Sequence, residues 1–306
     1  MEARTRAPLI ALLTDFGMRD WYVAALKGVI LTRAPRTQLV DITHEIPPQD
    51  IIAGAFTLAA ATPWFPRGTV IVAVVDPGVG SARGLLAARC DGRYLLGPDN
   101  GLLALALRAP IGMTSGRSGS GLWVLGSGQL PPALSPEPRA NQSLAVKSSN
   151  IGRQATVIRL TNPRYWRDDV SRTFHGRDIL APVAAHLARG GSLARLGPPV
   201  RRIAPLALPP VEPQGRRLRG RVVHIDAFGN LMTNLSSTVL RTRRHGPVIV
   251  RYKGRRASVV SSYWAGAPNR LIAVVNALGM VELAVRNASA AAAYAAQRGD
   301  PVDLER

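Results

Sequence analysis

Val70-Ile71-Val72-Ala73-Val74-Val75-Asp76-Pro77-Gly78-Val79-Gly80-Ser81-Ala82-Arg83 is the stretch on which the fold turns. Six apolar, mostly β-branched residues in a row predict a strand buried on both faces of a parallel or mixed sheet. Asp76 falls where that strand ends, and Pro77, Gly78 and Gly80 force a tight loop that other groups can approach closely. In open α/β sheets the ligand crevice lies beyond the carboxyl ends of the strands. An acid at such an exit, followed seven residues later by Arg83, marks a candidate site. The same pattern also fits an aspartate that caps the next element and pairs with a surface arginine.

Three more apolar runs end in polar residues. Leu9 to Leu13 leads into Thr14-Asp15-Phe16-Gly17, ahead of a helix expected from about Asp20 to Arg33. A second run ends in Val40-Asp41-Ile42-Thr43-His44, and Tyr94-Leu95-Leu96 ends in Gly97-Pro98-Asp99-Asn100. Four strands with polar exits predict one shared crevice. Helices are expected over Ile51 to Ala61, stopped by Pro63, over Gly101 to Arg108, and over Ile179 to Arg189 before Gly190-Gly191. Alternating strands and helices up to about residue 107 indicate βα units.

From Ala109 to about Gly152 the character changes to Gly, Ser and Pro, including the run Ser115 to Gly121, and the segment is expected to be a mobile surface insertion. Regular structure is expected to resume at Ala155 to Leu160. Residues 198–215, with Pro198, Pro199, Pro205, Pro209, Pro210 and Pro213, form the expected linker. Short strand-like runs follow at Arg219 to Ile225, Pro247 to Tyr252, Arg270 to Val275, Leu283 to Val285 and Val302 to Leu304. The expected architecture is therefore an N-terminal α/β domain over 1–197 with a central, mostly parallel sheet, and a smaller, mainly antiparallel, barrel-like β domain over 216–306.

Composition narrows the function. A chain of 306 residues with 46% hydrophobic content is long enough for one large or two moderate cores. The single cysteine, Cys90, excludes an intramolecular disulfide and any cysteine-rich metal site, which fits a reducing compartment. No apolar run approaches the ~20 residues needed to cross a bilayer, and the apolar run before Asp15 is too short for a signal-peptide core. A cytoplasmic protein is expected, with no membrane partner.

The net charge of +20 raises the question of nucleic acid. Only Lys27, Lys147 and Lys253 are lysines, however, and the arginines are scattered apart from short clusters at Arg201-Arg202, Arg216 to Arg219 and Arg241 to Arg244. No nucleic-acid-binding motif accompanies them, so no specific nucleic-acid partner is expected, only loose binding at low salt. The five histidines, His44, His175, His186, His224 and His245, show no metal-ligand spacing. No metal and no cofactor are expected.

Six blocks occur in one order: TDFG at 14–17, VDITHEIPPQDI at 40–51, VVDPGVGSAR at 74–83, GPDNGLL at 97–103, TFHGRDILAP at 173–182 and IDAFGNLMTNL at 225–235. In that order and spacing the chain resembles the S-adenosylmethionine hydroxide adenosyltransferases, relatives of the enzymes that make 5′-fluoro- and 5′-chloro-adenosine. The resemblance implies that Asp76, Arg83 and His175 handle the attacking water. It implies that Asp15 grips the ribose hydroxyls, that Asp226 and Asn230 meet the methionine amino and carboxylate groups, and that Glu282 and Val285 lie near adenine.

Phe174 and Phe228 fit either adenine packing or core filling. His175 also fits a core histidine, and Asp15 a helix N-cap. The resemblance further implies a homotrimer with S-adenosylmethionine held between the N-terminal domain of one subunit and the C-terminal domain of the next. Ala277 stands where relatives often carry serine, Met232 where the fluorinating relatives have tryptophan, and Trp21-Tyr22 where they have smaller polar residues. The expected reaction is hydrolysis of S-adenosylmethionine to adenosine and methionine. A halide-using transferase and a non-catalytic adenosyl-binding protein are the alternatives.

Overall fold

The computed structural model describes residues 7–107, 155–215, 217–240 and 248–305. The insertion expected at 109–152, Lys147, His245 and the arginine cluster 241–244 lie outside the described residues.

The first sheet holds β1 (Leu9–Thr14), β2 (Gln38–Thr43), β3 (Val70–Val74), β4 (Leu85–Cys90), β5 (Arg93–Pro98) and β6 (Thr156–Arg159), in the order β2-β1-β3-β5-β4-β6. The pairs β1/β2, β1/β3 and β3/β5 are parallel, whereas β4 runs antiparallel to both β5 and β6. The continuous apolar runs read from the sequence are the central strands, and every residue of β3 is buried. Helices α1 (Tyr22–Arg33) and α3 (Ala181–Ala188) cover one face, and α2 (Ile51–Ala61) helps to cover the other.

Local chemistry sets the helix ends. Asp50 caps α2 by accepting the Ala53 N–H at 2.9 Å, and Pro63 lies just beyond its last turn. Two helix expectations change. Gly101 to Leu107 forms successive turns instead of a regular helix. Gly101 sits at φ +100° with its α-carbon against the Pro205 carbonyl, where a Cβ would stand 2.8 Å from that oxygen. The helix expected from Ile179 is α-helical only from Ala181, because a π-helical turn, Gly176–Leu180, takes its first residues, with His175 just before that turn. Such turns commonly accompany functional sites.

The second sheet contains β7 (Glu212–Gln214), β8 (Arg217–Ile225), β9 (Leu231–Ser236), β10 (Ile249–Tyr252), β11 (Arg255–Val259), β12 (Leu271–Val275), β13 (Met280–Val285) and β14 (Pro301–Glu305). β14 pairs with both β10 and β8, so β8 to β14 close into a seven-stranded barrel with β7 added alongside β8. Its pairs are antiparallel except β11/β12. Val222, Leu231, Leu235, Tyr252, Leu283 and Leu304 belong to its core. Among the described residues each of β8 to β14 therefore has a partner strand on both sides.

Residues 198–215 run between the two sheets in close contact with both. Val200 N–H bonds to the Val157 carbonyl, Ala204 N–H to Asp99 Oδ1, and Asn234 Nδ2 donates to the Pro209 carbonyl. Phe56 of α2 is 2% exposed and clusters with Val223 and Met280 of the barrel. Arg298 forms an ion pair with Asp50 across the same junction. Phe56→Ala should therefore lower unfolding stability by about 3–5 kcal/mol, the usual range for a buried phenylalanine, measured by urea denaturation. A loss below ~1 kcal/mol would show that the junction carries little of the stability.

Candidate functional site

β1 and β3 are adjacent and parallel, with Thr14 opposite Val74. Their exits therefore leave the same edge of the sheet, and Asp15 and Asp76 stand there together. Burial raises the Asp15 carboxyl above its ordinary 3.8; the Gln49 N–H works against that rise and the Asp76 charge adds to it. Asp15 does not cap α1, whose N-cap residue Trp21 makes no side-chain cap bond. Instead, Asp15 Oδ2 accepts the Gln49 N–H at 2.8 Å.

Arg83 meets Asp76 as a bidentate fork. Its Nε donates to Oδ1 at 2.6 Å and its Nη2 donates to Oδ2. The two side chains are 9% and 7% exposed, so this charge-assisted pair is largely shielded from solvent. The same Nη2 lies 3.2 Å from His175 Nδ1. A guanidinium can only donate, so Nδ1 is the acceptor in that contact. Burial lowers the His175 pKa below its ordinary 6.5, and the Arg83 charge lowers it further. The three sequence-predicted water-handling residues thus form one contact chain, Asp76–Arg83–His175.

Two local devices hold this chain. Gly80 has φ +83°, and a Cβ there would stand 2.7 Å from the Arg172 carbonyl oxygen, so only glycine lets the loop after β3 pack on the segment before His175. Asp178 is fully buried and ties that segment down. It accepts Ser171 N–H at 3.0 Å and receives a bidentate Arg177 fork at 2.6 and 2.9 Å. Phe174 is 7% exposed and packs edge-on to Phe16, Trp21 and Tyr22, with the Arg177 guanidinium 5.1 Å from its ring centre.

The other sequence-predicted residues gather on the barrel. Asp226 Oδ1 accepts the N–H groups of Phe228 and Asn230 at 2.9 and 2.8 Å, and its Oδ2 accepts Asn230 Nδ2 at 2.9 Å. This loop leaves Phe228 80% exposed. Glu282 is buried on β13, where Oε1 accepts the Tyr263 hydroxyl at 2.6 Å and Oε2 accepts Asn276 Nδ2 at 3.2 Å. Val285 ends β13 as a buried core residue. Burial, followed by the Glu282 hydrogen bond and charge, pushes the Tyr263 pKa far up and keeps its hydroxyl a donor.

Tyr263 and Asn276 were not singled out from sequence. The only local cue was Ser262, which accepts the Ala265 N–H and so opens a capped turn. Among the described residues, no hydrogen bond or ion pair joins the Asp76 group to the Glu282 group. Asp99 and Asn100, predicted to line the crevice, serve the scaffold. Asp99 receives Ala204 N–H and lies 3.4 Å from Arg159, while Asn100 donates to the Val75 carbonyl and accepts Leu102 N–H.

Comparison with known proteins covers nearly the whole chain. Residues 10–117 and 141–197 match the profile of the SAM hydroxide adenosyltransferase N-terminal domain, and residues 220–303 match that of the corresponding C-terminal domain. The chain is 35% identical to an (R)-S-adenosyl-L-methionine hydrolase from Salinispora tropica, over 96% of both chains. It is 36% identical to another of that name from Thermus thermophilus, over 96% of this chain and 98% of that one. A crystal structure of an uncharacterized conserved protein from Thermotoga maritima superposes with a TM-score of 0.73 at 27% identity, over 97% of this chain and all of that one. On both profiles and these identities, the chain belongs to the SAM hydroxide adenosyltransferase family.

Proposed function

We propose that this protein hydrolyses S-adenosyl-L-methionine to adenosine and L-methionine by attack of water at C5′. The observation that carries the reading is the shielded Asp76–Arg83–His175 chain at the carboxyl edge of the sheet, beside Asp15. The sulfonium leaves as a neutral thioether and needs no acid, so the difficult element is the nucleophile. Water donates a hydrogen bond to the Asp76 carboxylate. As the oxygen–C5′ bond forms, the C5′–S bond breaks with its electron pair returning to sulfur, and the water proton passes to Asp76. Arg83 fixes the carboxylate and His175 accepts from the same Arg83 Nη2, so the acceptor is oriented before substrate arrives. Holding ribose through Asp15 places C5′ in line with that water.

The names of the relatives support the same substrate. Asp226, Asn230, Phe228, Glu282 and Val285 take the methionine and adenine ends in this reading, with Phe174 contributing to the substrate site from the sheet edge. We also propose a homotrimer in which the barrel of one subunit completes the sheet-edge site of the next. Two observations support it: no hydrogen bond or ion pair joins the half-sites among the described residues, and each carries exposed aromatics, Trp21 at 57%, Phe228 at 80% and Trp264 at 76%. The domain division at residues 198–215 belongs to this proposal. So does a cytoplasmic location, which rests on the lone Cys90.

The halide alternative is disfavoured by the same geometry. The Arg83 guanidinium that would attract an anion is already forked onto Asp76, whose charge would repel a halide at ~4 Å by a few kcal/mol. The test is turnover in oxygen-18 water with molar chloride present. Label in the adenosine 5′-hydroxyl and no 5′-chloro-adenosine by mass spectrometry are expected; unlabelled adenosine or a chlorinated product would overturn the reading.

Asp76→Ala and His175→Ala should each lower kcat by about a hundredfold or more while substrate affinity changes much less, as measured by single-turnover kinetics and calorimetry. Lost binding with intact turnover of bound substrate would remove both from the water site.

The acidic limb of kcat/KM tests the two shifted groups. Asp15 and His175 both act deprotonated. The Asp15 pKa is raised from 3.8 and the His175 pKa is lowered from 6.5, so activity should persist below pH 6.5 and fall in the interval between those values. A limb centred at or above 6.5 would contradict the deprotonated, half-buried His175.

A further inference from the structure

His44 is a buried titratable side chain that the reaction above does not use. It lies just beyond β2 and is 3% exposed. Its Nδ1 is 2.8 Å from the Oγ1 of Thr14, the fully buried last residue of β1. Thr14 Oγ1 also accepts the Phe16 N–H at 3.2 Å, and the His44 carbonyl accepts the Gly17 N–H at 2.7 Å. Residues 14, 16 and 17, which bracket Asp15, are thus all tied to His44 directly or through one hydroxyl.

The imidazole is itself held from behind. Nε2 lies 3.0 Å from Asp41 Oδ1, an ion-pair distance off the line of a hydrogen bond, and Asp41 Oδ2 accepts Lys27 Nζ of α1 at 2.7 Å. Proton bookkeeping fixes the polarity. The Asp41 carboxylate, its pKa lowered, can only accept, so the nitrogen facing it carries the ring hydrogen; in that neutral tautomer Nδ1 is the acceptor and the Thr14 hydroxyl donates to it. The chain Lys27–Asp41–His44–Thr14 therefore spans α1, β2 and β1 and ends at the loop that carries Asp15.

We propose that His44 and Thr14 are positioning residues for Asp15, aiming its carboxylate at the vicinal diol of a bound adenosyl group. The inference rests on the ribose role of Asp15 in the proposed function. Gln49 N–H restrains one carboxylate oxygen. The backbone held by His44 restrains the α-carbon through the residues before and after it, and together they set where the carboxylate points. A core histidine with no such role would affect folding alone.

The experiment measures adenosine affinity by calorimetry alongside the melting temperature. Thr14→Val, which removes only the hydroxyl, and His44→Leu should each weaken adenosine binding by about tenfold, the effect of losing one positioned hydrogen bond. Thr14→Ser and His44→Asn, which restore a hydroxyl and an Nδ1-like acceptor, should stay within about twofold of wild type. In turnover, KM for S-adenosylmethionine should rise more than kcat falls.

Wild-type adenosine affinity in Thr14→Val would overturn the inference, as would Ser and Asn variants that lose as much as the Val and Leu ones. If His44→Leu fails to fold, the Thr14 pair decides alone. Asp15→Asn separates the two readings. Undiminished adenosine binding in that variant would remove the ribose role itself, whereas a weakened Asp15→Asn beside an unaffected Thr14→Val would refute only the positioning role.

Discussion

The parallel pairing of β1 with β3 is the constraint from which the site follows. Thr14 lies opposite Val74, and both strands are buried along their lengths, so a one-residue slip would turn core side chains toward the wrong layer. With that register fixed, two carboxylates arrive at one edge. Bringing two acids together is unfavourable, and the fold offsets it unevenly. Asp76 receives the Arg83 fork, whereas Asp15 keeps a raised pKa with Gln49 N–H as partner. In the proposed function the asymmetry separates their chemistry, one facing a proton to be accepted and the other a neutral diol.

Arg83 is the pivot of that arrangement. Its guanidinium neutralises Asp76, contacts His175, and depends on a close approach between two loops that Gly80 makes possible. A buried charge pair contributes little net stability because desolvation opposes the Coulomb gain. What it supplies here is direction. Removing either member would leave a shielded charge without a partner, so the pair and the glycine act as a unit. Asp178 does the same on the other side, where its two oxygens hold Arg177 and the backbone before Phe174 and His175.

The barrel obeys a different logic. Its polar residues satisfy one another before any ligand arrives: Asp226 closes its own loop, and Glu282 takes the Tyr263 hydroxyl and the Asn276 amide. Such loops are preorganised, which lowers the ordering cost of binding. Gly229, at φ +80°, lets the Asp226 loop close over Ser289, where any Cβ would collide with the serine side chain. The exposed rings of Phe228 and Trp264 project from this rigid base, Trp264 with the Arg286 guanidinium 3.6 Å from its ring centre.

The sequence by itself determined a good deal. The runs Leu9 to Leu13, Val70 to Val75 and Tyr94 to Leu96 are central strands because short, unbroken apolar runs that end in turn and acidic residues suit a strand buried on both faces. The ends of α2 were legible from Asp50 and Pro63, whose effects are local. The order of the six blocks pointed to the family and to Asp15, Asp76, Arg83 and His175.

The tertiary structure alone decided the rest, because it depends on partners far away in the chain. β4 and β11 carry mixed patterns and become strands by pairing with β5 and β10. Closure of the barrel rests on β14 meeting β8 more than 70 residues earlier in the chain. The turns of Gly101 to Leu107 replaced an expected helix because Gly101 packs on the Pro205 carbonyl. His44 was legible only as a polar strand exit and Tyr263 not at all, since what gives each its place is a hydrogen bond spanning 30 residues in one case and 19 in the other. Residue type and spacing fix what a side chain is able to do; only the packing of distant strands fixes which groups it meets.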